Sequence, residues 1–297
     1  MVLISISKKG DTPTRIKELV KNFSLLKKLP QNETIDLSKI EWVTPLSILP
    51  IALLITRWQK RGIKIKFPKE ERIKSYLTAI LFPKGTEEPT LLEWGETYFP
   101  IVRVSHKDEK FPPELIEKVN DKYQTLLSSL FVNQPYQTDL TQALGIFLGE
   151  MIDNVEEHSQ AHELWILSQY WQRLGELEIC LLDDGIGFYN SYKNANIPVN
   201  SHLEAIDKAV KGISTKKIGG QGYGINRSIY LITESSLNGE FLIISGNAGY
   251  FKKSKETGKL FLLNKIGWRG VIIMIKVKKP YLPINIYKYF EPRIKYE

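Results

Sequence analysis

The 297-residue chain is 42% apolar and 25% charged, the balance of a folded globular protein rather than a disordered one, and is long enough for about two domains. Its one cysteine, Cys180, excludes an internal disulfide and fits a reducing compartment, and its longest apolar run, residues 46–58, is broken by Ser47, Pro50, Thr56 and Arg57 and is too short to span a bilayer. The net charge of +8 is uneven, +6 over residues 1–100, −7 over 101–251 and +9 over 252–297, and with no nucleic-acid motif present the basic tail reads as solvated charge and nucleic acid is not the expected partner.

The first residues, Val2-Leu-Ile-Ser-Ile, alternate like a strand and lack the basic region and cleavage site of an export signal, so a cytoplasmic protein is expected. Helical spacing follows from Thr14 to Leu29, then a short strand at Thr34–Leu37. An apolar helix from Ser47 to Arg61 ends at Gly62, and Ile63–Phe67 is another strand. Residues 1–90 therefore read as a small α/β domain. Within it, Ile35-Asp36-Leu37-Ser38-Lys39-Ile40-Glu41-Trp42-Val43-Thr44-Pro45-Leu46 resembles the strand, loop and helix of STAS domains, a fold that often works with ATP-binding kinases. Those domains carry a phosphorylatable Ser flanked by Asp and Gly, whereas this loop reads Thr44-Pro45-Leu46-Ser47, which departs from a phosphoswitch.

Residues 91–137 are punctuated by Pro100, Pro112, Pro113 and Pro135 and read as a connector with one helix, Glu114 to Leu130. From Leu140 to Glu157 a helix is predicted, with Leu140, Leu144, Phe147, Leu148, Met151, Ile152 and Val155 on one side. Glu150, Asn154 and His158 fall in a stripe along its edge. A carboxylate and an amide there can orient a water and ligate Mg²⁺ respectively, because that cation takes hard oxygen donors. Strands follow at Glu163–Trp171 and Gly175–Leu182, and Asp183 stands where the second stops. A carboxylate at that point can accept a hydrogen bond from the exocyclic amine of adenine, and Gly185 and Gly187 let the backbone approach a flat ring.

The stretch from Asn190 to Asn200 reads as a polar loop, and Ser201-His-Leu-Glu204 is a capping box opening a helix to about Lys211. Next comes a segment with Ser214, Thr215, Lys216 and Lys217, then Gly220, Gly222, Tyr223 and Gly224, then a helical pattern from Ile225 to Ile232. Hydroxyls, lysines and glycine backbone N–H groups ahead of a helix suit a lid over polyphosphate. The glycines are neither a Walker loop, since no Gly-Lys-Ser/Thr follows, nor a dinucleotide fingerprint, since no strand directly precedes them. Strands at Phe241–Ser245, Leu260–Leu263 and Gly270–Lys276 complete a sheet.

In this order the three boxes, Glu150 to Asn154, Asp183 to Gly187 and Gly220 to Gly224, resemble the GHKL superfamily of Bergerat-fold ATPases, which includes DNA gyrase, mismatch-repair proteins, sensor histidine kinases and anti-sigma-factor kinases. The resemblance covers residues 138–280. It implies an α/β sandwich with a mixed, largely antiparallel sheet and helices on one face, with residues 281–297 as a basic tail. It implies Glu150 as the water-orienting acid, Asn154 as the Mg²⁺ ligand, Asp183 as the adenine carboxylate, Gly185 and Gly187 on the purine side, and Gly220, Gly222 and Gly224 in the phosphate loop. Many relatives place Gly-Thr before the last strand, where this chain has Trp268-Arg269-Gly270.

The expected ligands are ATP and Mg²⁺. An ATPase switch leads, with a Ser/Thr kinase and a nucleotide-sensing module without turnover as alternatives, and a protein partner or self-association is expected through the STAS-like domain. A histidine kinase is disfavoured because Pro112 and Pro113 follow His106 closely. A zinc site at His158 and His162 is disfavoured because no Glu follows the first histidine.

Overall fold

The computed structural model describes residues 1–59, 61–87, 97–106, 111–133, 136–213, 215, 224–234, 237–264 and 266–281. The first six elements alternate: β1 (Val2–Ile6), α1 (Thr12–Lys27), β2 (Thr34–Ile40), α2 (Pro45–Gln59), β3 (Lys64–Lys66) and α3 (Glu71–Ala79). Local chemistry sets the start of α1, where the Asp11 side chain accepts from the Thr14 N–H and Pro13 occupies the first turn. The three strands form a parallel sheet in the order β1-β2-β3.

The rest of the chain gives β4 (Tyr98–Ser105), α4 (Pro113–Leu130), α5 (Gln137–His158), β5 (Glu163–Trp171), β6 (Glu176–Asp183), α6 (Gly187–Asn194), α7 (His202–Val210), α8 (Gly224–Thr233), β7 (Glu240–Gly246), β8 (Ala248–Lys253), β9 (Lys259–Leu262) and β10 (Trp268–Lys278). Its seven strands form one sheet in the order β4-β5-β6-β10-β7-β8-β9, and every ladder between them is antiparallel, where a mixed sheet was expected.

This sheet is buried on both faces. Leu177, Ile179 and Leu181 of β6, with Ile243 and Ile275, pack against α4, α5 and α8. The alternate residues Cys180, Leu182, Leu242, Ile244, Ile272 and Met274 join a second core with Leu46, Leu49, Leu53 and other residues of the N-terminal unit. Double burial explains why the central strands are near-continuous apolar runs instead of alternating with polar residues. The sheet therefore has helices of its own segment on one face and the N-terminal α/β unit on the other, and that unit shares its core with the sheet.

Five elements differ from expectation, α4 only in where it packs, since its helix was expected at Glu114 to Leu130. β4 and α4 lie in the stretch 91–137 read as a connector, yet β4 pairs with β5 and α4 packs in the main core. Pro100 concealed the strand, but β4 is the edge of the sheet, where a missing N–H costs no ladder bond. α6 occupies half of the predicted loop 190–200, and β8 and α3 were not foreseen. Thr44 and Ser47 are buried and bonded to each other at the start of α2, which removes both hydroxyls from solvent. No described helix is long and apolar enough to cross a membrane.

Candidate functional site

The stripe on α5 forms as its spacing requires, because the adjoining side, Leu144, Phe147, Leu148, Met151 and Ile152, is buried and fixes the rotation of the helix. Asn154 donates its amide nitrogen to the Glu150 backbone carbonyl at 2.7 Å. Its Oδ1 and the Glu150 carboxylate are then the hard oxygen atoms along this wall. At the helix end His158 Nδ1 lies 3.4 Å from the Thr215 hydroxyl.

Asp183 ends β6 and is only 2% exposed. Its Oδ1 accepts from Gly185 N–H at 2.8 Å and its Oδ2 from Val271 N–H at 3.2 Å, which leaves a lone pair on each oxygen. Burial pushes its pKa up to about 7; the Gly185 bond opposes that shift, the neighbouring Asp184 charge adds to it, and the Val271 bond opposes it. Asp184 points the other way. Its Oδ1 accepts from His162 N–H and Glu163 N–H at 2.8 and 2.9 Å, and its Oδ2 pairs with Arg57 of α2 at 2.6 Å.

Around Asp183 the backbone is drawn tight. Gly187 has φ +70° and a Cβ there would lie 2.6 Å from Ser245 Oγ; Gly270 has φ +88° and a Cβ would lie 2.2 Å from the Asp183 carbonyl oxygen. The buried Ser245 hydroxyl joins the two, accepting from Phe188 N–H at 3.2 Å and donating to the Gly270 carbonyl at 2.9 Å. Gly270 takes its conformation at the irregularity between Trp268 and Val271 in the β10–β7 ladder. This accounts for the glycine at position 270 within β10.

One cleft, open at its mouth, gathers Glu150, Asn154, His158, Asp183, Gly187, Thr215 and Gly224. Its remaining wall is mostly apolar, with Met151, Val155, Phe188, Ile213, Ile225 and Ile273, a make-up typical of small-molecule sites. Gly224 opens α8 directly against the acid, since a Cβ there would meet Glu150 Oε2 at 2.4 Å. Gly185 is the exception among the described candidates. It does not line the cleft, and its lack of a side chain makes room for the Ser159 carbonyl, 2.2 Å from where a Cβ would stand. Ser214, Lys216, Lys217, Gly220, Gly222 and Tyr223 lie outside the described residues.

Residues that sequence reasoning missed come largely from α6. Phe188 and Tyr192 line the cleft four residues apart, and the Tyr192 hydroxyl donates to the Ile213 carbonyl at 2.5 Å, holding the chain after α7. Their i, i+4 spacing was the available signal, masked by the polar residues between them. Asp184 was passed over as part of a turn, yet it links this end of β6 to α2. The capping box formed as expected, with Ser201 accepting from Glu204 N–H, although Glu204 bonds to Asn200 N–H. His162 stands apart from His158, with its ring 6.4 Å from that of His106. Among the described residues no group of three or more His, Cys, Asp or Glu side chains is placed to hold a metal.

Compared with protein-family models and with curated proteins, the chain matches none.

Proposed function

We propose that the cleft binds ATP with Mg²⁺ and that the chain is an ATPase-type switch of the GHKL kind, whose N-terminal unit responds to the nucleotide. The observation that carries this reading is the convergence on one cavity of Glu150, Asn154, Asp183, Gly187 and Gly224, which come from separate segments of the sequence.

In this reading the adenine ring lies between the apolar walls from Met151, Phe188 and Ile273, and its exocyclic amine donates to the free lone pairs of Asp183. Ser245, Gly187 and Gly270 hold Asp183 and the adjoining backbone in place. Asn154 Oδ1 faces the phosphate end and would hold Mg²⁺, which when bound offsets phosphate charge. Thr215 and His158 also line the cleft, where a hydroxyl and an imidazole can bond to phosphate oxygens. Glu150 orients a water for attack on the γ-phosphorus; the water oxygen bonds to phosphorus, the bond to the β-γ bridging oxygen breaks, and Glu150 accepts the proton. The burial of Thr44 and Ser47 speaks against the chain phosphorylating its own STAS-like loop.

Thermal unfolding with Mg-ATP tests binding. A rise in Tm with nucleotide that Asp183→Asn abolishes is expected, and an unchanged Tm in the wild type removes the proposal. Phosphate release then tests turnover: the wild type should exceed Glu150→Ala by at least about 100-fold, in the range of a lost general base. Equal rates would leave a binding module without hydrolysis.

A further inference from the structure

At the opposite end of β6 from Asp183, about 24 Å away at roughly 3.4 Å per residue, a second concavity opens on the other face of the sheet. It lies along the seam between α3, the β2–α2 loop and the end of β5, and has two parts that share Trp42 and Trp171 as a common wall.

The first part is an aromatic pocket lined by Trp42, Arg72, Tyr76, Gln169 and Trp171. The Trp42 and Trp171 rings are near-parallel, 23° apart with centroids at 6.3 Å, and the Arg72 guanidinium lies over Trp42 at 5.4 Å. Two polar atoms are recessed in the wall without a hydrogen-bond partner, Tyr76 Oη and Gln169 Oε1. Gln169 is 93% buried, and its amide nitrogen already serves the Thr97 and Tyr170 carbonyls at 3.1 and 2.9 Å, so the unused atom is an acceptor by construction. Buried polar groups are seldom left unsatisfied in a folded protein, and a pair of them beside stacked indoles is what a flat ring with its own donors would complete.

The second part is a polar cleft lined by Lys8, Lys253, Lys278 and Lys279, whose ammonium groups form no ion pair among the described residues. Its carboxylates are already engaged: Asp11 caps α1, Glu240 accepts from the Thr12 hydroxyl, and Glu176 pairs with Lys276. The unbalanced charge is therefore positive, which selects an anion, and Arg72 over Trp42 argues against a cationic guest.

We propose that the aromatic pocket and the lysine cleft together form a second ligand site, for an anion bearing a flat heteroaromatic ring, the chemistry of a 5′-mononucleotide. The ring stacks beside Trp42 and Trp171 and satisfies Gln169 Oε1 and Tyr76 Oη, while the phosphate faces Lys253 and Lys278. Occupancy would pin α3 to the sheet. This inference does not depend on what the Asp183 cleft binds.

Equilibrium dialysis of the full chain with labelled AMP, CMP, GMP and UMP tests it, using Asp183→Asn to disable the first cleft. At least one mononucleotide should bind this variant with one-to-one stoichiometry. Affinity should fall at least tenfold on adding Gln169→Leu, and at least tenfold on adding Lys253→Glu with Lys278→Glu, two exposed changes that leave the core untouched. The matching nucleoside and inorganic phosphate should each bind at least tenfold more weakly than the intact nucleotide. The proposal is overturned if Asp183→Asn binds none of the four, or if the double lysine change leaves binding intact. Should Gln169→Leu unfold, the lysine variant decides alone.

Discussion

The two faces of β6 treat buried carboxylates in opposite ways. On the side of the N-terminal unit, Glu178 is 1% exposed, accepts from the Leu46 N–H at the start of α2 at 2.8 Å, and lies 3.3 Å from the Lys276 ammonium. Burial pulls Lys276 down, but the carboxylates of Glu178, Glu176 and Glu240 together outweigh it, so the ammonium is held above its ordinary value. On the helix side, Asp183 has only backbone N–H partners, and burial leaves its pKa at about 7. The acid that anchors α2 is paired with a cation, whereas Asp183, which lines the cleft, has no cation beside it.

The sharpest way to break this contrast is Glu178→Ala, which strands Lys276 and uncaps α2 in one step. A loss of about 3–5 kcal/mol is expected from urea unfolding, the range for removing one member of a buried ion pair. A loss under about 1 kcal/mol would mean the pair adds nothing.

Asp183 predicts a pH effect of the opposite kind. Its folded pKa of about 7 lies above the ordinary 3.8, so the folded state holds the proton more tightly. The stability associated with it is complete below about pH 4 and declines as pH rises through 7. Adenine needs the ionised form, so ATP affinity should weaken by up to about tenfold per pH unit below 7, or about 1.4 kcal/mol. Titrating ATP into the wild type between pH 5.5 and 8.5 checks this, and a flat profile would contradict it.

Arg57→Ala tests whether the faces communicate. Arg57 is about one-third exposed, so its pairing with Asp184 contributes only about 1 kcal/mol after solvent screening. The freed Asp184 charge should raise the Asp183 pKa further, so the midpoint of the ATP-affinity profile should move to higher pH; an unmoved midpoint would deny the coupling. The smallest effect on stability is expected for Gly224→Ala, because the added methyl meets the end of the Glu150 side chain, which can swing aside. Tm should change by no more than about 2 °C while phosphate release falls, and loss of both together would make Gly224 a folding residue.

Much of this was legible in the sequence where one local rule dominated. The strand 163–171 matches β5 residue for residue, and α5 extends the predicted 140–157 only slightly, because apolar periodicity there is uninterrupted. Of the residues in the three boxes, Glu150, Asn154, Asp183, Gly187 and Gly224 line one cavity, whereas Asp184 and Gly185 do not. What stayed hidden depended on distant partners. Pro100 argues against a strand until β4 is known to be an edge, Tyr192 looks like a loop residue until Ile213 bonds to it, and the pairing of Asp184 with Arg57 spans 127 positions. Burial of the sheet on both sides likewise depends on a distant partner, because the layer covering Cys180 and Leu182 is the N-terminal unit.

That covering layer makes the halves inseparable. A fragment starting near residue 97 would bare Trp165, Leu167, Cys180, Leu182, Leu242 and Ile244 on one broad flat surface, larger than a soluble monomer tolerates. Such a fragment should aggregate on expression, and grafting the C-terminal portion onto an unrelated leader would fail for the same reason. Exchanging either portion for another therefore requires the seam between α2 and the strands beneath it to be matched anew.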